Sequence, residues 1–146
     1  MIENSLKYNR RKLDRIREAW CRRPPSRWPA EDRKNVTIVL NGLCITDIPT
    51  FYIALGKAVN GPDGYYGGCL NGLEDCLYGG FGLRPPFTLE VIGLEQIHAA
   101  LNASAEAWDE GWSDDPQAPR EPSYFDQVIE ILTRHRVTVR EYGQSQ

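Results

Sequence analysis

Histidine is scarce in this chain: His98 and His135 are the two in 146 residues, and neither stands in a zinc-ligand spacing with a cysteine. The four cysteines, Cys21, Cys44, Cys69 and Cys76, form no Cys-x-x-Cys pair. If Cys69 and Cys76 share a helix they lie two turns, about 10 Å, apart, too far for a disulfide. All four are therefore read as reduced thiols, and neither metal nor cofactor is expected. No apolar run reaches the roughly 18 residues that a membrane-spanning helix needs. The N-terminus is charged and lacks the apolar core of a secretory signal, so a cytoplasmic location is the expectation. Gly67-Gly68 is not followed by Lys-Ser/Thr, which removes the phosphate-loop reading.

A catalytic constellation is missing as well. Cys76 and His98 are the one thiol–imidazole pairing to weigh, but Cys76 lies near an inward-facing leucine stripe and reads as a buried structural thiol. Glu74 and Asp75 are adjacent, so on a helix they point about 100° apart and cannot work as a paired acid and base. No catalytic residue is assigned, and an enzyme is not expected.

What is present is an uneven distribution of charge. Residues 1–34 carry 11 Lys/Arg against five Asp/Glu, a net of +6, while residues 35–146 carry six against 15, a net of −9. The total of −3 hides a basic arm and an acidic body. An acidic body repels nucleic acid and attracts basic proteins. The expected division is a basic helical extension with a linker over 1–34, and one α/β domain over 35–146.

The arm is read as a helix over residues 5–23, with a partial apolar stripe of Leu6, Leu13, Ile16 and Trp20, stopped by Pro24-Pro25. It either packs loosely on the domain or binds nucleic acid or a membrane surface. Arg27 to Asn35 is a polar linker whose one large apolar residue is Trp28. Val36 to Leu40 is a β-branched run ended by Asn41-Gly42, a buried strand with its turn. Thr46 or Asp47 caps the next helix, with Pro49 in its first turn. A second strand is expected from Phe87 to Ile92, and a helix from Leu94 to Leu101. Residues 103–123 form a long loop holding Trp108 and Trp112. The last helix runs from Tyr124 to Thr133, and Val137 to Val139 is the last strand. Strands alternating with helices predict an α/β layer on a parallel sheet. No internal repeat is visible.

The chain is organised around the stretch from Gly64 to Gly82, which holds Tyr65, Tyr66 and Tyr78 among closely spaced glycines. Leu70, Leu73 and Leu77 recur at i, i+3, i+7, one face of a helix. Asn71, Asp75 and Tyr78 fall on another face, behind a loop carrying Tyr65 and Tyr66. With the leucines inward, an aromatic loop beside an exposed carboxylate on a rigid helix makes a recognition surface.

Tyr65-Tyr66-Gly67 followed by Leu70, Leu73, Asp75-Cys76-Leu77 and Gly79 resembles the signature of the barstar family, small proteins that inhibit secreted ribonucleases. Ile38 to Gly42, Pro86 to Val91 and Phe125 to Glu141 extend the resemblance over roughly residues 35–142. It implies three parallel strands with packed helices, and a partner that is a basic ribonuclease or related toxin. Its key acid matches Asp75, which would enter a cleft lined by Arg, Lys and His where substrate phosphate sits. Tyr65, Tyr66, Asn71, Glu74 and Tyr78 would support it, with the backbone at Gly67, Gly79 and Gly80 allowing close approach. The chain departs from the family in having Asn71 where a second acid is expected and Glu74 where an aromatic is expected. Glu130 and Ile131 align equally well with the family's acid on its later helix. The free protein is expected to be monomeric. The alternative reading is a nucleic-acid-associated protein that binds through residues 1–34, with the acidic domain as regulator.

Overall fold

The computed structural model describes residues 2–24, 31–108 and 123–143. Helix α1 (Ile2–Cys21) leads into strand β1 (Thr37–Asn41), α2 (Ile48–Asn60), α3 (Leu70–Leu77), β2 (Phe87–Ile92), α4 (Leu94–Ser104), α5 (Tyr124–Arg134) and β3 (Val137–Glu141). The three strands form one parallel sheet in the order β1-β2-β3. Thr37 stands opposite Thr88, and Thr88 opposite Thr138. This is the expected α/β fold. Alternation places Ile38 and Leu40 of β1, Phe87, Leu89 and Val91 of β2, and Val137 of β3 in the core. The other residues of the strands are polar or partly exposed, and there Arg140 Nε lies 3.6 Å from Glu90 across two neighbouring strands.

Local chemistry sets each junction. The Asn41 side chain accepts from the Leu43 amide at 3.0 Å and opens a single 3-10 turn, Gly42–Cys44. Asp47, rather than Thr46, caps α2. Its carboxylate accepts from the Thr50 amide at 2.9 Å, and the Thr50 hydroxyl accepts from the Asp47 amide at 3.0 Å. Pro49 occupies the first turn, where its missing N–H costs nothing. Phe51, Tyr52, Leu55 and Val59 then bury one side of α2. Gly56 lies on that helix where the loop after it returns: a Cβ there would sit 2.2 Å from the Gly64 carbonyl oxygen.

Two expectations about the N-terminal segment need correction. The apolar stripe on α1 is partial, as its sequence predicts, but its packing is not loose. Leu6, Leu13, Ile16 and Trp20 are all buried, Trp20 to 1% exposure. They recur at i, i+7, i+10, i+14, and Asn9 fills the missing i+3 position. Its amide donates to the second Asp47 oxygen at 2.8 Å, so the one polar residue in the stripe meets the buried carboxylate that caps α2. The second correction concerns the linker. Arg33 makes a parallel β-bridge with Leu83, and its guanidinium donates to the Gly82 and Val59 carbonyls.

Residues 103–108 are also ordered into the fold, as the end of α4 and a 3-10 turn, Ala105–Ala107, with the Arg10 guanidinium 5.0 Å from the Trp108 ring centre. Trp28, Trp112 and the rest of residues 109–122 lie outside the described residues. Among the described residues, no helix is long and apolar enough to cross a membrane.

Candidate partner-binding face

Helix α3 has eight residues, too few to be stable alone, so its position comes from packing and from its ends. Leu70, Leu73 and Leu77 are buried and Asn71, Asp75 and Tyr78 are exposed, as their spacing predicts. Cys69 is the N-cap, its sulfur accepting from the Gly72 amide at 3.3 Å. At the other end Gly79, Gly80 and Gly82 take positive φ, and the Asp32 carboxylate accepts from the Gly80 and Gly82 amides at 2.8 and 2.9 Å. The Asn60 amide joins the two flanks by donating to the Tyr65 and Phe81 carbonyls, both at 2.9 Å. The helix is thereby held by groups up to 50 residues away in sequence.

The tyrosine loop does not form the outer surface that its sequence suggests. Tyr66 is fully buried, its hydroxyl donating to the Leu83 carbonyl at 2.8 Å. A phenol whose hydroxyl has a backbone acceptor can bury its whole ring, and that burial pushes its ionisation well above the usual range. Tyr65 is 8% exposed, flanked by Trp20 of α1 with ring centres 6.5 Å apart and by Phe81 at 6.0 Å. Gly67 is buried at φ +103°, where a Cβ would lie 2.9 Å from the Leu73 Cα. These three residues shape the start of α3 from beneath.

Glu74 is not a free acid either. Its carboxylate accepts from the Arg134 guanidinium and from His135 Nε2 at 2.9 Å, and these two hydrogen bonds, His135 first, hold its pKa below the ordinary value. Because an ionised carboxylate only accepts, Nε2 of His135 must carry the proton. The His135 ring in turn meets Tyr78 edge-on at 5.0 Å. Arg134 and His135 thus join the candidate face through Glu74, a link that sequence reasoning missed; they stand 60 and 61 residues from Glu74, and no local pattern announces them. On the same end of α5, Glu130 is exposed and 3.6 Å from Arg134, whereas Ile131 is buried, so of these two aligned positions Glu130 is the one at the surface.

Asp75 differs from Glu74. It is exposed, and among the described residues it has no ion pair. It also sits in the last turn of α3, where the helix dipole places partial negative charge and disfavours an acid by about 0.3–1 kcal/mol. Stability does not account for a carboxylate there. Cys76, next to it, is buried, and desolvation followed by the Asp75 charge raises its thiol to about 12, so it stays protonated. His98 lies on α4 against Phe125, ring centres 4.8 Å apart. Among the described residues, no group of three His, Cys, Asp or Glu side chains could hold a metal ion.

A family model described as Barstar (barnase inhibitor) matches residues 35–115. The chain belongs to the barstar family. The match begins two residues before β1 and takes in the whole of α3 and its flanking loops. Helix α1 lies before it, and α5 and β3 lie beyond it, so the barstar match holds Glu74 but not its partners Arg134 and His135. No curated protein matches the chain.

Proposed function

We propose that this barstar-family protein is an immunity-type inhibitor of a basic ribonuclease or related toxin, acting inside the cell that must be protected from it. The observation that carries the reading is Asp75: an exposed carboxylate without an ion partner among the described residues, on a helix fixed at both ends, at a position where it does not help the helix. In a cleft lined by cations it takes the place of substrate phosphate, and desolvation between matched charges makes the pair strong.

Tyr78 supplies the exposed aromatic of the face, at 74% exposure, and the edge of His135 limits how its ring can turn. Asn71, one turn before Asp75, offers a donor and an acceptor without charge. Gly79 and Gly80 let the partner's backbone come close. Tyr65, Tyr66, Gly67 and Glu74 contribute by holding α3 in place. The net of −9 over residues 35–146 attracts a basic enzyme to this part of the chain rather than to the basic arm. The free protein acts as a monomer in this scheme.

The test is direct. Barnase and a panel of other basic ribonucleases are titrated with the purified chain, and RNA cleavage is followed. Stoichiometric loss of cleavage by at least one enzyme is expected, with an association rate that falls as salt rises from about 10 mM to about 150 mM. A chain that leaves every enzyme of the panel active, or a rate independent of salt, contradicts the reading.

A further inference from the structure

The outward side of α1 carries a row of exposed cations. Opposite its buried stripe, Tyr8, Arg11 and Arg15 recur at i, i+3 and i+7, and Arg22 follows at i+14 in the turn just past Cys21, its amide still donating to the Glu18 carbonyl; all four are exposed, Tyr8 to 65%. Lys7 and Lys12 flank this ridge, and Glu18, at i+10, is its single acid. The ridge spans about 21 Å at 1.5 Å per residue. Other cations of α1 already have contacts: Arg17 lies 3.8 Å from Asp14, Arg10 sits over Trp108, and Arg23 over Trp20 at 4.3 Å. Among the described residues, Arg11, Arg15 and Arg22 have no ion pair. The four buried anchors fix the helix, so these guanidinium groups are presented in a set order.

We propose that this ridge of α1 is a binding site for single-stranded nucleic acid. Three arginines in line neutralise backbone phosphates, and the exposed Tyr8 ring at the end of the line gives a base a face on which to stack. An acidic peptide would use the arginines and leave Tyr8 idle, and a duplex keeps its base faces stacked inside. The acidic remainder of the chain repels a polyanion, which confines the strand to α1. The site is separate from the Asp75 face and does not depend on the inhibitor reading.

Fluorescence anisotropy of the full chain with a labelled oligouridylate, and with an oligothymidylate of equal length, tests it. Binding is expected at low salt, falling roughly twentyfold between about 50 and about 200 mM salt, as three phosphate contacts require. Tyr8→Ala is expected to weaken it about tenfold. The triple variant Arg11→Ala, Arg15→Ala, Arg22→Ala should abolish the salt dependence with the binding. All four side chains are exposed, so circular dichroism should show the variants folded. A stronger uridylate complex identifies RNA as the ligand, and a stronger thymidylate complex identifies DNA. No binding at about 100 μM protein overturns the proposal. So does binding that Tyr8→Ala leaves unchanged, or that polyglutamate of the same charge matches.

Discussion

Helices α1 and α3 lie on the same core through leucine-type stripes, yet they present opposite charge and reach their positions by different means. Helix α1 has 20 residues, a length at which helical structure can begin to persist without neighbours. Its register on the core needs only four apolar anchors and the Asn9–Asp47 hydrogen bond. Helix α3 has eight residues and an acid pair in its last turn, against the dipole. Cys69, Asn60, Asp32, Arg134 and His135 all act on it, from the cap, the loops and the far end of the chain. A short helix held in this way cannot move its outward side chains independently of the core. The two acids show the consequence most clearly: Glu74 is fully engaged with α5, and Asp75 is left to the solvent.

The comparison breaks most visibly at the α1 anchors. Trp20→Ala should destabilise the fold by about 3–4 kcal/mol, because it removes a fully buried indole that also flanks Tyr65. Tyr78→Ala on α3 should change stability by no more than about 0.5 kcal/mol, since its ring is exposed. Chemical denaturation of the two variants gives both values. An equal loss would mean that α1 is no more part of the core than the outer side of α3.

A smaller effect is expected where α1 meets α2. Asp47→Ala removes the α2 cap and leaves the Asn9 amide without its acceptor, at a cost of about 2 kcal/mol. Asp47→Asn keeps a capping oxygen and should lose less than half of that. Thermal unfolding of the pair separates the cap from the bridge to α1.

The smallest change sharpens the difference between the acids. The hydrogen bonds from His135 and Arg134 depress the Glu74 pKa in the folded state. A depressed carboxylate contributes stability above its unfolded pKa, near 4.5, and loses it as pH falls through the lower folded value. Glu74→Gln should therefore cost under about 1 kcal/mol at neutral pH, in keeping with a partly exposed pair. It should also flatten the fall in stability below about pH 4.5. Asp75→Asn should leave that part of the curve unchanged. Urea denaturation over an acid pH series checks both.

Much of the fold was legible because it is written in local periods. The apolar β runs at Val36 to Leu40 and Phe87 to Ile92, the i, i+3, i+7 leucines of α3 and the Asp47 cap with Pro49 behind it each lie within one element, although burial alternates along β1 where its run suggested a fully buried strand. The outward set Asn71, Asp75 and Tyr78 followed from the same period. The tyrosine loop was misread because burial of Tyr66 depends on an acceptor 17 residues away at Leu83, and burial of Tyr65 on Trp20 of α1. A Tyr-Tyr-Gly loop has the same composition whether it faces water or core. The roles of Asp32 and Arg33 were hidden for a related reason. They read as linker charges, and only the return of the chain at Gly80 to Leu83 gives them partners.

Asp75→Ala is the measurement that bears most directly on the central claim, read on two scales at once. Binding to a ribonuclease that the titration finds inhibited should weaken by about 2 kcal/mol or more, roughly thirtyfold in Kd, the loss that marks a hot spot. Folding stability should stay the same or rise by up to about 0.5 kcal/mol, because the variant removes a negative charge from the C-terminal turn of α3. Unchanged inhibition with unchanged stability would contradict the assignment of this face. A fall in stability as large as the fall in binding would make Asp75 a structural residue and contradict it equally.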